Sequence, residues 1–328
     1  MNSIKQKILV TGGSGFIGTN LIEFILLNRS NINVLNLDIS KPKLKTHDKY
    51  WIKCDINDLK ALESFINDYS PDYLIHLAAE TNVKFSKLSD FQTNIKGVEN
   101  ICKVVNKSAS VKRVIFTSTQ YVHQFHGQPN SDDEYFPFTK YGESKVEGEK
   151  IVRQFNLNKE WVIIRPTNIY GPYNDIYVKG LFRVIQNGYY FHPNIDVIRS
   201  YGYVETVVQQ ILKILELSST LVNKKTFYVG DEPINLQSFV LEIHKNFGKN
   251  RLKILPIWVF YLAAVIGEFV SKFNIPFPMN KIRYINMVTP NPINMQRTFQ
   301  ILNHGNLDIK MAIKNTINWY FQSEDKTL

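Results

Sequence analysis

Short apolar runs alternate with longer segments whose apolar residues recur at helical spacing. "KILV" (7–10), "INVLNLD" (32–38), "YWIKCDI" (50–56), "YLIHLA" (73–78), "RVIFTST" (113–119) and "WVIIRP" (161–166) read as strands. Between the first two, Phe16, Ile17, Leu21, Ile22, Ile25 and Leu26 line one face of a helix. Further helices are expected near 58–68, 90–107 and 139–155. Nearly continuous apolar strands alternating with helices predict an α/β fold with a doubly wound parallel sheet, covered on both faces. Polar residues gather at the strand ends: a glycine turn, Asp38, Asp55, His76 to Glu80, and Thr117 to Gln120. Open sheets of this kind bind ligands beyond the carboxyl ends of their strands.

After Pro166 the rhythm changes and Pro, Asn and aromatic residues become frequent. "TFYVG" (226–230) still reads as a core strand. The expected organisation is therefore interleaved. Residues 1–166 plus about 201–230 form the nucleotide-binding domain, and about 167–200 plus 231–328 form a smaller, mixed substrate-binding lobe. No internal repeat or low-complexity linker interrupts the chain.

Composition narrows the classes. The 328 residues are 44% apolar and 21% charged, as in a folded globular protein. Lys and Arg exceed Asp and Glu by 10, but the positive charges are scattered. The runs at Lys41–Lys45 and Lys249–Lys253 match no nucleic-acid-binding module, so no nucleic-acid partner is expected. Cys54 and Cys102 lie far apart in apolar segments. They read as buried free thiols rather than metal ligands, and no metal site is expected. With no secretory signal pattern at the N-terminus, a reducing cytoplasm is the expected location. "LPIWVFYLAAVIGEFV" (255–270) is too short to span a bilayer. It reads first as a buried helix and second as a peripheral membrane contact.

The glycine turn "TGGSGFIG" (11–18) follows a strand and opens a helix, as a phosphate site requires. Gly12 permits the tight turn, Gly15 lets a pyrophosphate approach, and Gly18 lets helix and strand pack closely. The helix start at Phe16 and Ile17 offers free N–H groups and the positive end of the helix dipole. Asp38, twenty positions after Gly18 at the end of the second strand, can hold an adenosine ribose and repel a 2′-phosphate. This favours NAD over NADP, with Lys41 nearby as the contrary sign.

"YGESK" places Tyr141 and Lys145 at i and i+4 on one helix face. A lysine cation and an oxidised nicotinamide beside a tyrosine would stabilise its phenolate and lower its pKa from about 10. The phenolate then takes the proton of a substrate hydroxyl as hydride leaves the carbon. Ser118 or Thr119 in "FTSTQYV" can orient the reacting oxygen. Ser118 has no base partner that would make it a nucleophile.

As a set, "TGGSGFIG", "LNLD", "CDI", "HLAAE", "TNIKG", "FTST", "YGESK" and "RPTNIYGP", in this order, resemble the extended short-chain dehydrogenase/reductases, specifically the NAD-dependent epimerase/dehydratases. The resemblance runs through most of the chain. It implies a Rossmann sheet of about seven strands with a small C-terminal substrate lobe. It implies Asp55 and Ile56 at the adenine, Leu77, Ala78 and Ala79 along the cofactor, and Asn94 supporting the site. It implies Thr119 as the family's catalytic Ser or Thr, Tyr141 as acid/base, and Lys145 on the nicotinamide ribose. Thr167 then falls near nicotinamide and Asn168 near substrate, while Arg199 in "RSYGYVE" pairs with a substrate diphosphate. A homodimer through helices near 90–107 and 139–155 is also implied.

Two departures matter. The family's 4,6-dehydratases carry Asp-Glu after their threonine, whereas this chain carries Gln120 and Tyr121, against water elimination. Where many sugar epimerases have Val-Tyr-Gly, it has Val122-His123-Gln124. The expected function is an NAD-dependent nucleotide-sugar epimerase or related sugar oxidoreductase, similar to enzymes of surface-polysaccharide biosynthesis. The alternatives are an NAD-dependent dehydrogenase of a sterol-like or lipid-linked alcohol, and a non-catalytic NAD sensor or scaffold.

Overall fold

The computed structural model describes residues 5–83, 85–123, 129–175, 178–273, 275, 277–302 and 308–324. Gln124 and Pro276 lie outside the described residues. Seven strands form one sheet: β1 (Gln6–Thr11), β2 (Ile32–Asp38), β3 (Trp51–Lys53), β4 (Tyr73–His76), β5 (Arg113–Thr117), β6 (Glu160–Pro166) and the strand Lys225–Val229. Their order is Lys225–Val229, β6, β5, β4, β1, β2, β3, and every pairing is parallel. The direction of winding reverses between β1 and β4, which is where such sheets open a crevice. Register brings Thr11 level with Leu37 and His76, so the ends of β1, β2 and β4 lie together.

Parallel strands must be covered on both faces, and these are. Ile8, Leu9, Val10, Leu74, Ile75, Val114, Ile115, Val162 and Ile163 are fully buried. α1 (Phe16–Asn28) buries Leu21, Ile22 and Ile25. α2 (Leu59–Tyr69) starts where the Asp58 carboxylate accepts the Lys60 and Ala61 N–H groups. α3 (Gln92–Lys107) and α4 (Lys140–Gln154) complete the cover, with Ile101 and Val105 packed in the same core as Leu62, Leu74 and Val114. Cys54 and Cys102 are buried and free. Burial pushes their thiols up to about 11 and about 12, so both stay protonated and inert.

The chain forms two compact units. The first comprises residues 1–173, 202–231 and 294–306. It extends past Pro166 because the turn-rich segment is tied to α1, where Asn20 Nδ2 donates to the Pro172 carbonyl at 3.0 Å. It also takes in helix Gln296–Leu302, whose Thr298 hydroxyl donates to the Tyr228 carbonyl. The second comprises residues 174–201, 232–293 and 307–328. There helix Leu236–Asn246 packs against helix Ile309–Glu324, and the Tyr201 and Phe239 rings stack at 4.3 Å.

Helices Ile257–Ser271 and Lys281–Val288 pack against each other in the second unit. A side chain on Gly267 would collide with the Met279 carbonyl, so glycine permits this close approach. The structure corrects the expectation of a buried helix here. Only Phe260, Ala264 and Gly267 are buried, whereas Trp258, Tyr261, Leu262, Val265, Ile266 and Phe269 are exposed. The helix is apolar on every side, and its neighbours cover one side only.

Candidate active site

The glycine turn is fixed from three directions. Gly12 N–H donates to the Leu37 carbonyl at 2.9 Å, and Leu77 N–H donates to the Thr11 carbonyl at 2.9 Å. Gly12 has φ +76°, and a Cβ there would lie 2.4 Å from the Ala78 nitrogen. Ser14 N–H donates to Asp38 Oδ2 at 2.9 Å, and Ser40 N–H donates to Oδ1 at 2.9 Å. Buried Asn36 donates through Nδ2 to Ser14 Oγ at 3.1 Å. Asp38 therefore holds the turn. Gly12→Ala is expected to abolish retention of dinucleotide, read by mass spectrometry of the native protein. Retention at the wild-type level would contradict this geometry.

α1 opens after Gly15, which has no side chain to cap it, so the N–H groups of Phe16 and Ile17 are left without a side-chain acceptor at the helix start. Gly18 is buried in the next turn, against the Gly12 carbonyl. Ala78 and Ala79 follow β4 and are half-buried, Asp55 is exposed after β3, and Ile56 is buried against Gly97. At the ends of β5 and β6 the hydroxyls of Thr117, Ser118 and Thr167 are buried and bond nothing among the described residues. Such orphans at strand ends are answered by a ligand or water. These residues fit a dinucleotide.

Thr119, Tyr141 and Lys145 are brought together. Thr139 caps α4 by accepting the Gly142 N–H at 3.0 Å, which sets Tyr141 in the first turn. The Tyr141 ring packs against Phe91 and, edge-on, Tyr121, each at 6.2 Å between centroids. Its hydroxyl is hydrogen-bonded to the hydroxyl of Thr119, which is itself buried. One turn on, buried Lys145 donates through Nζ to the Thr117 carbonyl at 2.9 Å.

The electrostatics differ from the expectation of an activated phenol. Burial pushes the Tyr141 hydroxyl well above its ordinary value; the Thr119 hydrogen bond opposes this and Tyr121 adds to it. Burial lowers Lys145 to about 8, against the pull of the Glu149 carboxylate. Desolvation dominates, and the ammonium of the neighbouring lysine is engaged by a carbonyl. Phenolate formation therefore needs a further positive charge beside the ring.

The remaining expected residues are placed as follows. Asn94 is fully buried and fully engaged: Oδ1 accepts Glu80 N–H at 2.8 Å, and Nδ2 donates to Glu80 O and Ser144 Oγ, both at 2.9 Å. It ties the loop after β4 to α4. Asn168 accepts Gln120 Nε2 at 2.7 Å, joining the loops after β5 and β6. Arg199 belongs to the second unit, buried, donating to Thr289 O at 2.9 Å and to Asn286 Oδ1 at 3.4 Å.

Sequence reasoning missed a charged core behind Lys145. Glu149 and Arg165 are 3% and 0% exposed and pair through two hydrogen bonds, at 2.9 and 2.8 Å. Arg165 also donates to Tyr228 Oη and to the Asp132 carbonyl. The available signal was Glu149 at i+4 from Lys145, on the same helix face. His76 was noted only as a polar strand end. It is 2% exposed and hydrogen-bonded to Thr11 Oγ1 at 2.7 Å. Burial and the Lys145 charge hold it down to about 3, so it is neutral and adds no competing cation.

Three comparisons place this arrangement among known proteins. Over 274 residues the chain is 27% identical to an N-acetyl-α-D-glucosaminyl-diphospho-ditrans,octacis-undecaprenol 4-epimerase of Escherichia coli O157:H7, covering 81% of this chain and 79% of that protein. It is 26% identical to a decarboxylating sterol-4-α-carboxylate 3-dehydrogenase of Candida albicans, covering 97% of this chain and 99% of that one. The crystal structure of a UDP-glucose 4-epimerase from Thermotoga maritima, solved with UDP-glucose, superposes with a TM-score of 0.75 at 20% identity, over 97% of this chain and 100% of that chain. The model of the NAD-dependent epimerase/dehydratase family matches residues 8–230, from β1 to the end of the seventh strand. The chain thus belongs to that family, as an oxidoreductase-type enzyme whose cofactor is NAD.

Proposed function

We propose that this enzyme epimerises a nucleotide-linked sugar at a carbinol carbon, C4 being the position favoured, in the synthesis of a surface polysaccharide. The observation that carries this reading is the hydrogen-bonded Thr119–Tyr141 pair beside buried Lys145, with Gln120 and Tyr121 where a dehydratase needs an acid and a base. NAD would lie along Gly12, Gly15, Phe16, Ile17 and Gly18, with Asp38 at a ribose, Asp55 and Ile56 at the adenine, and Leu77, Ala78, Ala79 and Thr167 beyond. When bound it accepts a hydride from the sugar carbon and returns it. Ionised to its phenolate under the positive charge that the oxidised nicotinamide would bring, Tyr141 takes the proton of the sugar hydroxyl and later gives it back. Thr119 holds the reacting oxygen, and Lys145 binds the nicotinamide ribose. Asn168 contacts the sugar.

Incubation with UDP-, GDP- and CDP-sugars tests the proposal: one sugar should interconvert with its epimer without net NADH. A panel showing neither interconversion nor NADH formation would remove it. A second reading, a sugar or alcohol linked to a lipid, is supported by the exposed helix Ile257–Ser271 and by the named substrates of the Escherichia coli and Candida relatives. It predicts turnover of a polyprenyl-diphosphate sugar in the same assay. Self-association through α3 and α4 belongs to the proposal as well, and sedimentation velocity reads it.

Lys145 sets a pH dependence. Its folded value of about 8 lies below its ordinary 10.5. It loses its proton as pH rises through about 8, and kcat is expected to fall there. The unfolded chain keeps that proton up to about 10.4, so over this window the Lys145 contribution to stability rises with pH. Activity and this contribution therefore move in opposite directions. A kcat that stays flat to pH 10, on a protein still folded by circular dichroism, would contradict the assignment.

A further inference from the structure

The exposed residues of helix Ile257–Ser271 are not scattered. Trp258, Tyr261, Leu262, Val265, Ile266 and Phe269 recur at helical spacing and make one continuous stripe, which Phe273 extends. Trp258, Phe269 and Phe273 are 61%, 62% and 63% exposed. Soluble surfaces rarely leave so large an apolar patch uncovered. Ile275 and Ile282, in the following turn and the next helix, are also exposed.

Charge around the stripe is mostly positive. Arg251, Lys253, Lys272, Lys281 and Arg283 are all exposed, and between residues 251 and 284 Glu268 is the single acid. That carboxylate accepts the Lys281 backbone N–H at 3.2 Å, at the start of the second helix of the pair. Apolar residues with Trp and Tyr among them, rimmed by Lys and Arg, match the depth profile of a bilayer interface. A second copy docking through the same face by a two-fold axis would set these cations against themselves. No described helix is long and apolar enough to cross a membrane. The 15 residues of this one reach about 22 Å at 1.5 Å per residue, against a hydrocarbon core of about 30 Å.

We propose that the face formed by helix Ile257–Ser271, its following turn and the start of helix Lys281–Val288 docks on an anionic lipid bilayer. The apolar stripe enters the headgroup region, and Arg251, Lys253, Lys272, Lys281 and Arg283 pair with lipid phosphates. The docking is independent of which sugar or alcohol the enzyme takes, so its test does not use turnover.

Flotation of the full-length protein with phosphatidylglycerol-containing vesicles and with pure phosphatidylcholine vesicles tests it. The protein is expected to float with the anionic vesicles, bound about tenfold or more tightly than to neutral ones. Salt of about 1 M, where the Debye length is about 3 Å, should release much of it. The variant Trp258→Glu/Phe269→Glu should lose binding to both. The variant Lys272→Glu/Lys281→Glu changes two exposed side chains, removes no packed apolar group and should lose only the preference for anionic lipid, so it decides the matter if the first variant misfolds. Absence of flotation overturns the proposal, and so does equal binding to neutral vesicles. A dimer that Trp258→Glu/Phe269→Glu splits, with vesicle binding absent, assigns the face to a second copy instead.

Discussion

Tyr141→Phe is expected to lower kcat by about 10²–10⁴-fold, the usual range for losing a general acid/base. The substitution removes one oxygen and keeps the ring that packs on Phe91 and Tyr121. NAD retention and the unfolding midpoint should therefore stay near wild type. Thr119 shares the hydrogen bond of the Tyr141 hydroxyl, and buried His76, under the Lys145 charge, is held neutral. Lys145, engaged by the Thr117 carbonyl, is a charge rather than the base. Steady-state kinetics together with mass spectrometry of retained NAD read the outcome. A variant within about tenfold of wild type, outside that range, would show that another group moves the proton.

The largest stability effect is expected at Arg165→Leu. Arg165 is fully buried, and its loss strands the Glu149 carboxylate, which is 3% exposed. Tyr135 Oη at 3.1 Å and Arg153 at 3.5 Å remain as partners, too few to replace a bidentate guanidinium. Breaking such a pair costs about 3–5 kcal/mol. In a chain of this size that corresponds to a fall in Tm on the order of 10 °C. Arg165→Leu/Glu149→Leu should recover most of the loss, because no charge is then left without its partner. The single variant should also raise the pKa of Lys145, since Glu149 pulls it upward. Its alkaline limb of kcat should move to higher pH. Thermal denaturation of the two variants measures the first effect, and a single variant as stable as wild type would contradict the role given to the pair.

The parallel sheet and its crevice were legible in the sequence because they rest on local signals. Apolar runs marked β1, β2 and β4 to β6, and β2 was located to the residue at Ile32–Asp38. The glycine turn and Tyr-x-x-x-Lys spacing marked the ends where chemistry gathers, and the first turn of α4 does carry Tyr141. What escaped depends on tertiary burial. Arg165 sits in an apolar strand and Glu149 on a charged helix, and nothing local says that both are dry. The same holds for the Tyr141 phenol, whose expected lowering by Lys145 is overruled by desolvation. A helix apolar on all sides gives no period by which to tell its covered face from its exposed one, which is why Ile257–Ser271 read as core.

The central claim is reversible hydride transfer at a sugar carbinol, with no net redox change. It is tested most directly by supplying the NAD-loaded enzyme with UDP-sugars carrying deuterium at C4 and following product by mass spectrometry and absorbance by spectrophotometer. One sugar is expected to give its C4 epimer with the deuterium retained and without accumulation of NADH. Loss of the label to solvent, or stoichiometric NADH with a stable ketone product, would contradict it.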